Sequence, residues 1–215
     1  METVTFQAED GVQLEGELRA PEGEARDSAV ICHPHPREGG SKDHPLLWAI
    51  RNELAHRGFA VLSFNFRGVM GSGGEYAGGV AEVADVRAAV GRVRRDAPGK
   101  TFVAGWSFGA DVALREALDD ERVAALALVG MPLSELRSVL PDLPDRAALS
   151  RLARPVLLVA GEADQFCPVP DLRALARRIP DAEVVVLPGT DHFFWKRERE
   201  VAGLIGDFAE RSLSS

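Results

Sequence analysis

Residues 101–110 read Thr-Phe-Val-Ala-Gly-Trp-Ser-Phe-Gly-Ala. The first four have the apolar, β-rich character of a buried strand, and Val112, Leu114 and Leu118 continue at helical spacing. Between them Gly105-Trp106-Ser107-Phe108-Gly109 matches G-x-S-x-G. In a tight strand-to-helix turn the serine backbone is strained, and the residues two away on either side must be small. Such a turn lifts the Ser107 hydroxyl clear of the sheet and aims a helix N-terminus at it. The pentapeptide alone is a weak signal; flanked by a strand and a helix it points to a nucleophile.

Outward from this turn, strand-like and helix-like segments alternate. An N-terminal hairpin is expected from Val4–Phe6 and Val12–Arg19 around a Glu-Asp-Gly turn. Further strands are expected at Ala29–Cys32, Ala60–Phe66, Val123–Val129, Val156–Ala160 and Val184–Leu187. Most are apolar throughout, as strands covered on both faces should be. Helical stripes fall at Pro45–Arg57, which stops at Gly58, along Val83 to Val93, along Leu172 to Ile179 and along Val201 to Phe208. This alternation predicts an α/β fold: a mostly parallel twisted sheet with helices on both faces and right-handed crossovers. One domain spanning 1–215 is expected. Met131–Arg154, loosely patterned and holding three prolines, is too short for a second.

Ligands of such sheets sit beyond the C-terminal strand ends, so those loops carry the candidates. A serine hydroxyl needs an oriented base to become a nucleophile. After the strand ending at Ala160 comes Gly-Glu-Ala-Asp, 161–164, and after the last strand Gly-Thr-Asp-His, 189–192. The order Ser, acid, His is the one expected for a nucleophile on this kind of turn. Ser107, Asp164 and His192 are therefore the candidate triad, with Glu162 as the competing acid. Asp191, adjacent to the histidine, reads as a loop or capping residue.

Acyl transfer also needs donors for the oxyanion. Phe108 N–H, just after the nucleophile, is one. The other should come from Cys32–Gly40, the loop after an earlier strand. Pro34 and Pro36 have no N–H, which leaves His33 and His35 nearest the strand end, and Arg37 or the Gly39–Gly40 amides beyond. Cysteine and histidine at 32–35 also suggest a metal, but no C-x₂-C or H-x₃-H partner spacing follows. His33 reads as a hydrogen-bonding loop residue and His56 as a surface residue. Gly68 to Gly74 lacks a phosphate-binding lysine and reads as a flexible rim. Arg37 and Arg67 suit surface or structural ion pairs better than an anionic substrate. Trp106, Phe108, Phe193, Phe194 and Trp195 are expected mostly in the core, with one or two lining an acyl pocket.

Taken together, CHPHP..GG, FNFRGV.GS.G, GWSFGA, GEAD..CP and GT.HFF resemble a group of small, capless, esterase-like bacterial members of the α/β-hydrolase superfamily, over residues 28 to 210. The resemblance implies an α/β-hydrolase fold with a minimal cap or none. It also implies that the second oxyanion donor lies two residues after the strand-ending histidine, which selects the backbone of His35. The chain departs from the group at Ala77 and Ala81, where an acidic residue and a glycine are usual, so no role is carried over for 72–85.

Net charge is −8 from 25 basic and 33 acidic residues, which argues against a nucleic-acid partner. No apolar run reaches membrane-spanning length, and the acidic start lacks a signal peptide's pattern. A cytoplasmic location and no membrane partner are expected, with Cys32 and Cys167 as reduced thiols. The expected activity is a serine hydrolase acting on carboxylic esters or thioesters of small to medium acyl groups, with no cofactor and no metal. Acyl transfer to another acceptor, or peptide cleavage, uses the same residues; a non-catalytic binding protein is the contrasting class. Oligomeric state is not encoded in these motifs.

Overall fold

The computed structural model describes residues 1–214. Its eight strands form one sheet: β1 (Glu2–Gln7), β2 (Gln13–Arg19), β3 (Asp27–Cys32), β4 (Phe59–Phe64), β5 (Thr101–Trp106), β6 (Val123–Val129), β7 (Val156–Gly161) and β8 (Ala182–Leu187). The spatial order is β1-β2-β4-β3-β5-β6-β7-β8. The first two strands pair antiparallel, as the hairpin pattern predicts, and β2 joins β4 antiparallel. From β4 to β8 every pairing is parallel. All six residues of β4, β5 and β7 are buried, which explains their lack of alternation.

Helices α1 (Pro45–His56) and α6 (Glu198–Leu213) cover one face, where Leu46, Ile50 and Leu54 meet Val201, Ile205 and Phe208. On the other face lie α2 (Glu82–Val93), α3 (Phe108–Asp119) and α5 (Val169–Ala176), packed through residues such as Val86, Leu114 and Leu172. The proline-containing stretch 131–154 folds into a 3₁₀ turn at Glu135–Val139 and one short helix, α4 (Arg146–Ser150). Several element ends differ from the sequence pattern by one to a few residues, those of β4 and β5 among them. β4 stops at Phe64, because Asn65 N–H turns to Glu15 O and Phe66 N–H to the His33 ring. Conversely β5 continues through Gly105 and Trp106, which stay in register with β6.

Because β3 lies between β4 and β5, the chain winds one way from β3 and then the other. The reversal leaves a crevice above the C-terminal ends of β3 and β5. The loop starting at His33 and the turn holding Ser107 border it.

Candidate active site

Ser107 follows β5 with φ 55° and ψ −120°, a conformation L residues rarely adopt. Its N–H donates to Val129 O at 2.8 Å, fixing the turn to the neighbouring strand. The two glycines of the pentapeptide are required by packing. A Cβ on Gly105 would lie 2.3 Å from Gly109 O, and one on Gly109 would lie 2.3 Å from Cys32 O.

The loops after β7 and β8 bring Asp164 and His192 to this serine. His192 Nε2 is 3.0 Å from Ser107 Oγ, and His192 Nδ1 is 2.9 Å from Asp164 Oδ2. Asp164 Oδ1 also accepts from Phe166 N–H and Cys167 N–H, both at 2.9 Å. A carboxylate so placed only accepts, so Nδ1 donates to it and Nε2 is left to accept from the serine hydroxyl. All three side chains are buried. Glu162, the competing acid, is exposed and accepts instead from Gly189 N–H at 2.9 Å. Asp191 caps its own loop through Phe193 N–H.

Backbone contacts hold these loops together. Ala163 N–H donates to Thr190 O at 2.9 Å, and a Cβ on Gly161 would lie only 2.1 Å from that oxygen. Trp106 Nε1 donates to His192 O. Gly130, after β6, has φ 53°, and a Cβ there would lie 3.1 Å from the His192 ring. Nothing local in the sequence marks Gly130 or Gly161 as a position that must lack a side chain. Their requirement comes from loops that are distant along the chain.

The histidine–proline loop is shaped by its two imidazoles. His33, fully buried, accepts from Phe66 N–H through Nε2 at 2.9 Å and donates through Nδ1 to Pro34 O at 2.7 Å. Burial pushes its pKa down to about 4. His35 accepts from Arg37 N–H through Nδ1 at 3.2 Å, so its Nε2 carries the proton and donates to Tyr76 Oη at 3.0 Å. Its ring also packs edge-on against Phe108, and Tyr76 touches both rings. Gly40 N–H closes the turn onto His35 O. Thus the amides of Arg37 and Gly40 are committed, whereas Phe108 N–H lies in the first turn of α3, where a helix supplies no acceptor.

Tyr76 comes from the 67–81 loop, which is anchored by buried Glu82 accepting from Ala77 N–H at 2.7 Å and Gly79 N–H at 2.9 Å. Nearby, Arg67 is a structural ion-pair residue, bonded to Asp85 and Asp10. His44 caps α1 through Leu46 N–H. Both cysteines are buried, and burial raises their thiols well above the ordinary range.

Ser107 and His192 border a cavity of about 370 Å³, walled by Pro34, His44, Trp106, Phe166, Phe193 and Trp195. Of the aromatic cluster expected from sequence, Phe194 is fully buried, whereas Phe193 and Trp195 stand at the rim. Phe166 and His44 also form the wall, although nothing local in the sequence marks them. Roomier depressions of about 560, 990 and 520 Å³ lie away from Ser107, and each is lined by several arginines. Arg87 and Arg122 in the first, and Arg57 in the second, are ion-paired.

A family model described as an alpha/beta hydrolase domain matches residues 28–204. Among solved structures, an alpha-beta serine hydrolase homologue from Coxiella burnetii is 31% identical, with a TM-score of 0.81 over 96% of each chain. A serine hydrolase without a lid from Xanthomonas campestris is 27% identical, with a TM-score of 0.85 over 100% of this chain and 95% of its own. An uncharacterised protein of Rickettsia prowazekii is 25% identical over 216 residues, 97% of this chain and 88% of the relative. Among the described residues, no helix is long and apolar enough to cross a membrane.

Proposed function

The chain belongs to the α/β-hydrolase family, and from that premise we propose that it is a serine esterase acting through an acyl-enzyme. Ser107 Oγ attacks the acyl carbon while His192 Nε2 takes its proton. Asp164 holds the imidazole and stabilises the imidazolium that forms. The oxyanion is held by Phe108 N–H and His35 N–H, donors already oriented before charge develops. His192 then gives its proton to the leaving alkoxide. Water, deprotonated by the same imidazole, releases the acid and regenerates Ser107.

The observation that carries this reading is the unbroken hydrogen-bond chain from Ser107 Oγ through His192 to Asp164, at 3.0 and 2.9 Å. The cavity opens beside that serine, and its size suits a small or medium acyl group. The test is hydrolysis of a short-chain aryl ester by wild type and Ser107→Ala. The variant should lose on the order of a millionfold in kcat, and a fluorophosphonate should label wild type at Ser107 alone. Retained activity in the variant, or no labelling of folded wild type, overturns the proposal.

A further inference from the structure

The walls of the cavity are unusually rich in flat π-surfaces. Outward from His192, the rings of Phe166 and Phe193 stand edge-on to it at 4.9 and 5.7 Å. Phe193 is stacked against Trp195 at 6.4 Å and 25°. Across the mouth, His44 bridges Trp195 and Trp106, at 6.0 and 4.3 Å. Its Nδ1 is occupied by Leu46 N–H and burial lowers its pKa, so it contributes a neutral ring and not a cation.

Trp195 is 57% exposed and Phe193 44%; among the described residues only one other large ring, Trp48 on α1 at 55%, is as open to solvent, and it does not line this cavity. The backbone is strained on both sides of Trp195. Phe194 has φ 55° and Lys196 φ 64°, left-handed values that disfavour L side chains. Phe194 is fully buried in the core and pins the loop, while its neighbours turn outward over the cavity. Strain spent on displaying two rings beside a nucleophile is a feature of binding surfaces, since a loop under no such demand would relax. Glu38 is the one residue on the wall, among those described, with a fixed charge.

Building on the esterase reading above, we infer that this cavity selects esters bearing a planar aromatic group that is neutral or cationic, and that Trp195 sets the preference. At about 370 Å³ the cavity is at the small end for ligand sites, suited to a single ring on a short link and not to a long acyl chain. A π-face placed over Trp195 and Phe193 gains an interaction that a saturated ring of equal area does not. The carboxylate of Glu38 opposes a negative charge on that ring.

The experiment compares benzyl acetate with cyclohexylmethyl acetate, and methyl phenylacetate with methyl cyclohexylacetate. In each pair the ring is insulated by a methylene, so leaving-group and acyl reactivity are closely matched. Wild type should prefer the aromatic member of at least one pair by roughly two- to tenfold in kcat/KM. In Trp195→Ala that ratio should fall toward one, and Trp195→Phe should restore part of it. A ratio within one variant is independent of the fraction that folds. On 4-carboxybenzyl acetate, kcat/KM should fall on the order of fivefold below benzyl acetate, and Glu38→Gln should narrow the gap. Fluorophosphonate labelling of wild type separates esterase chemistry from ring preference. No labelling removes the esterase reading itself. Labelled enzyme with no ring preference in either pair, or a preference unchanged in Trp195→Ala, overturns the aromatic selectivity alone.

Discussion

The two walls of the cleft are built by different means. On one side, Ser107, Asp164 and His192 follow directly from β5, β7 and β8, and their spacing is set by parallel strand register and by glycines that let loops touch. On the other side, the His33–Gly40 loop leaves the sheet. It is held by side chains: His33 to Phe66, Tyr76 to His35, and Glu82 to the loop carrying Tyr76. A sheet can fix groups to fractions of an ångström because every strand end is tied to its neighbour. A loop without a ladder needs props, and each prop is one side chain deep. The first wall should therefore fail abruptly under substitution, and the second by degrees.

The first wall should fail most abruptly at the acid. Asp164→Asn preserves shape but cannot hold His192 in the tautomer that accepts from serine, and kcat should fall roughly ten-thousandfold. Steady-state hydrolysis of a short-chain aryl ester checks this, and a loss under tenfold would remove Asp164 from the wall.

Next comes the principal prop. The folded pKa of His33, about 4, lies below its ordinary value near 6.5. Between these values the unfolded chain binds a proton that the fold excludes. The stabilisation is thus complete above about pH 6.5 and is lost as pH falls toward 4, in total on the order of 3 kcal/mol. Urea unfolding at pH 7 and pH 4.5 should show this loss in wild type and a smaller one in His33→Asn. Equal losses in both would assign the acid sensitivity to other groups.

Gly130→Ala tests the backbone wall without removing a polar group. Its Cβ would crowd the His192 ring in a left-handed conformation that alanine resists. A displaced base should lower kcat by some tens of fold, read against an unchanged KM.

Tyr76→Phe removes one hydrogen bond to His35 and leaves the tilted ring contact. The expected loss is only a few-fold in kcat, about 1 kcal/mol at most. His35→Ala should likewise keep much of the activity, because the proposed donor is its backbone N–H. A collapse comparable to Ser107→Ala would show that the loop works through the imidazole. Smallest of all, Glu162→Gln should change kcat less than twofold, since this exposed carboxylate faces Gly189 and not His192.

The first wall was largely legible in the sequence and the second was not. Ser107, Asp164 and His192 each follow an apolar strand, so strand ends, the G-x-S-x-G turn and the order serine, acid, histidine together marked them as candidates. The choice of Asp164 over Glu162 followed the same local logic, and the structure brings Asp164 and not Glu162 to His192. By contrast Tyr76, Phe166, His44 and Gly130 carry no local mark. Each matters through a partner distant along the chain: Tyr76 lies 41 residues from His35. The sequence pattern expects most of the aromatic cluster in the core and one or two rings at an acyl pocket, but nothing local marks Phe193 and Trp195 as the exposed pair. Their exposure depends on two left-handed residues that composition does not announce.

By itself the sequence determined the alternation of buried strands and amphipathic helices, and with it a mostly parallel, doubly covered sheet carrying its chemistry at the strand ends. It did so because hydrophobic period and glycine-flanked turns act over a few residues. Only the tertiary structure decided which strand ends become neighbours, which ring nitrogens shape the histidine–proline loop, and which aromatic rings face the cavity. Those depend on strand order and loop packing, where the free energy belongs to pairs of residues that no short window of sequence contains.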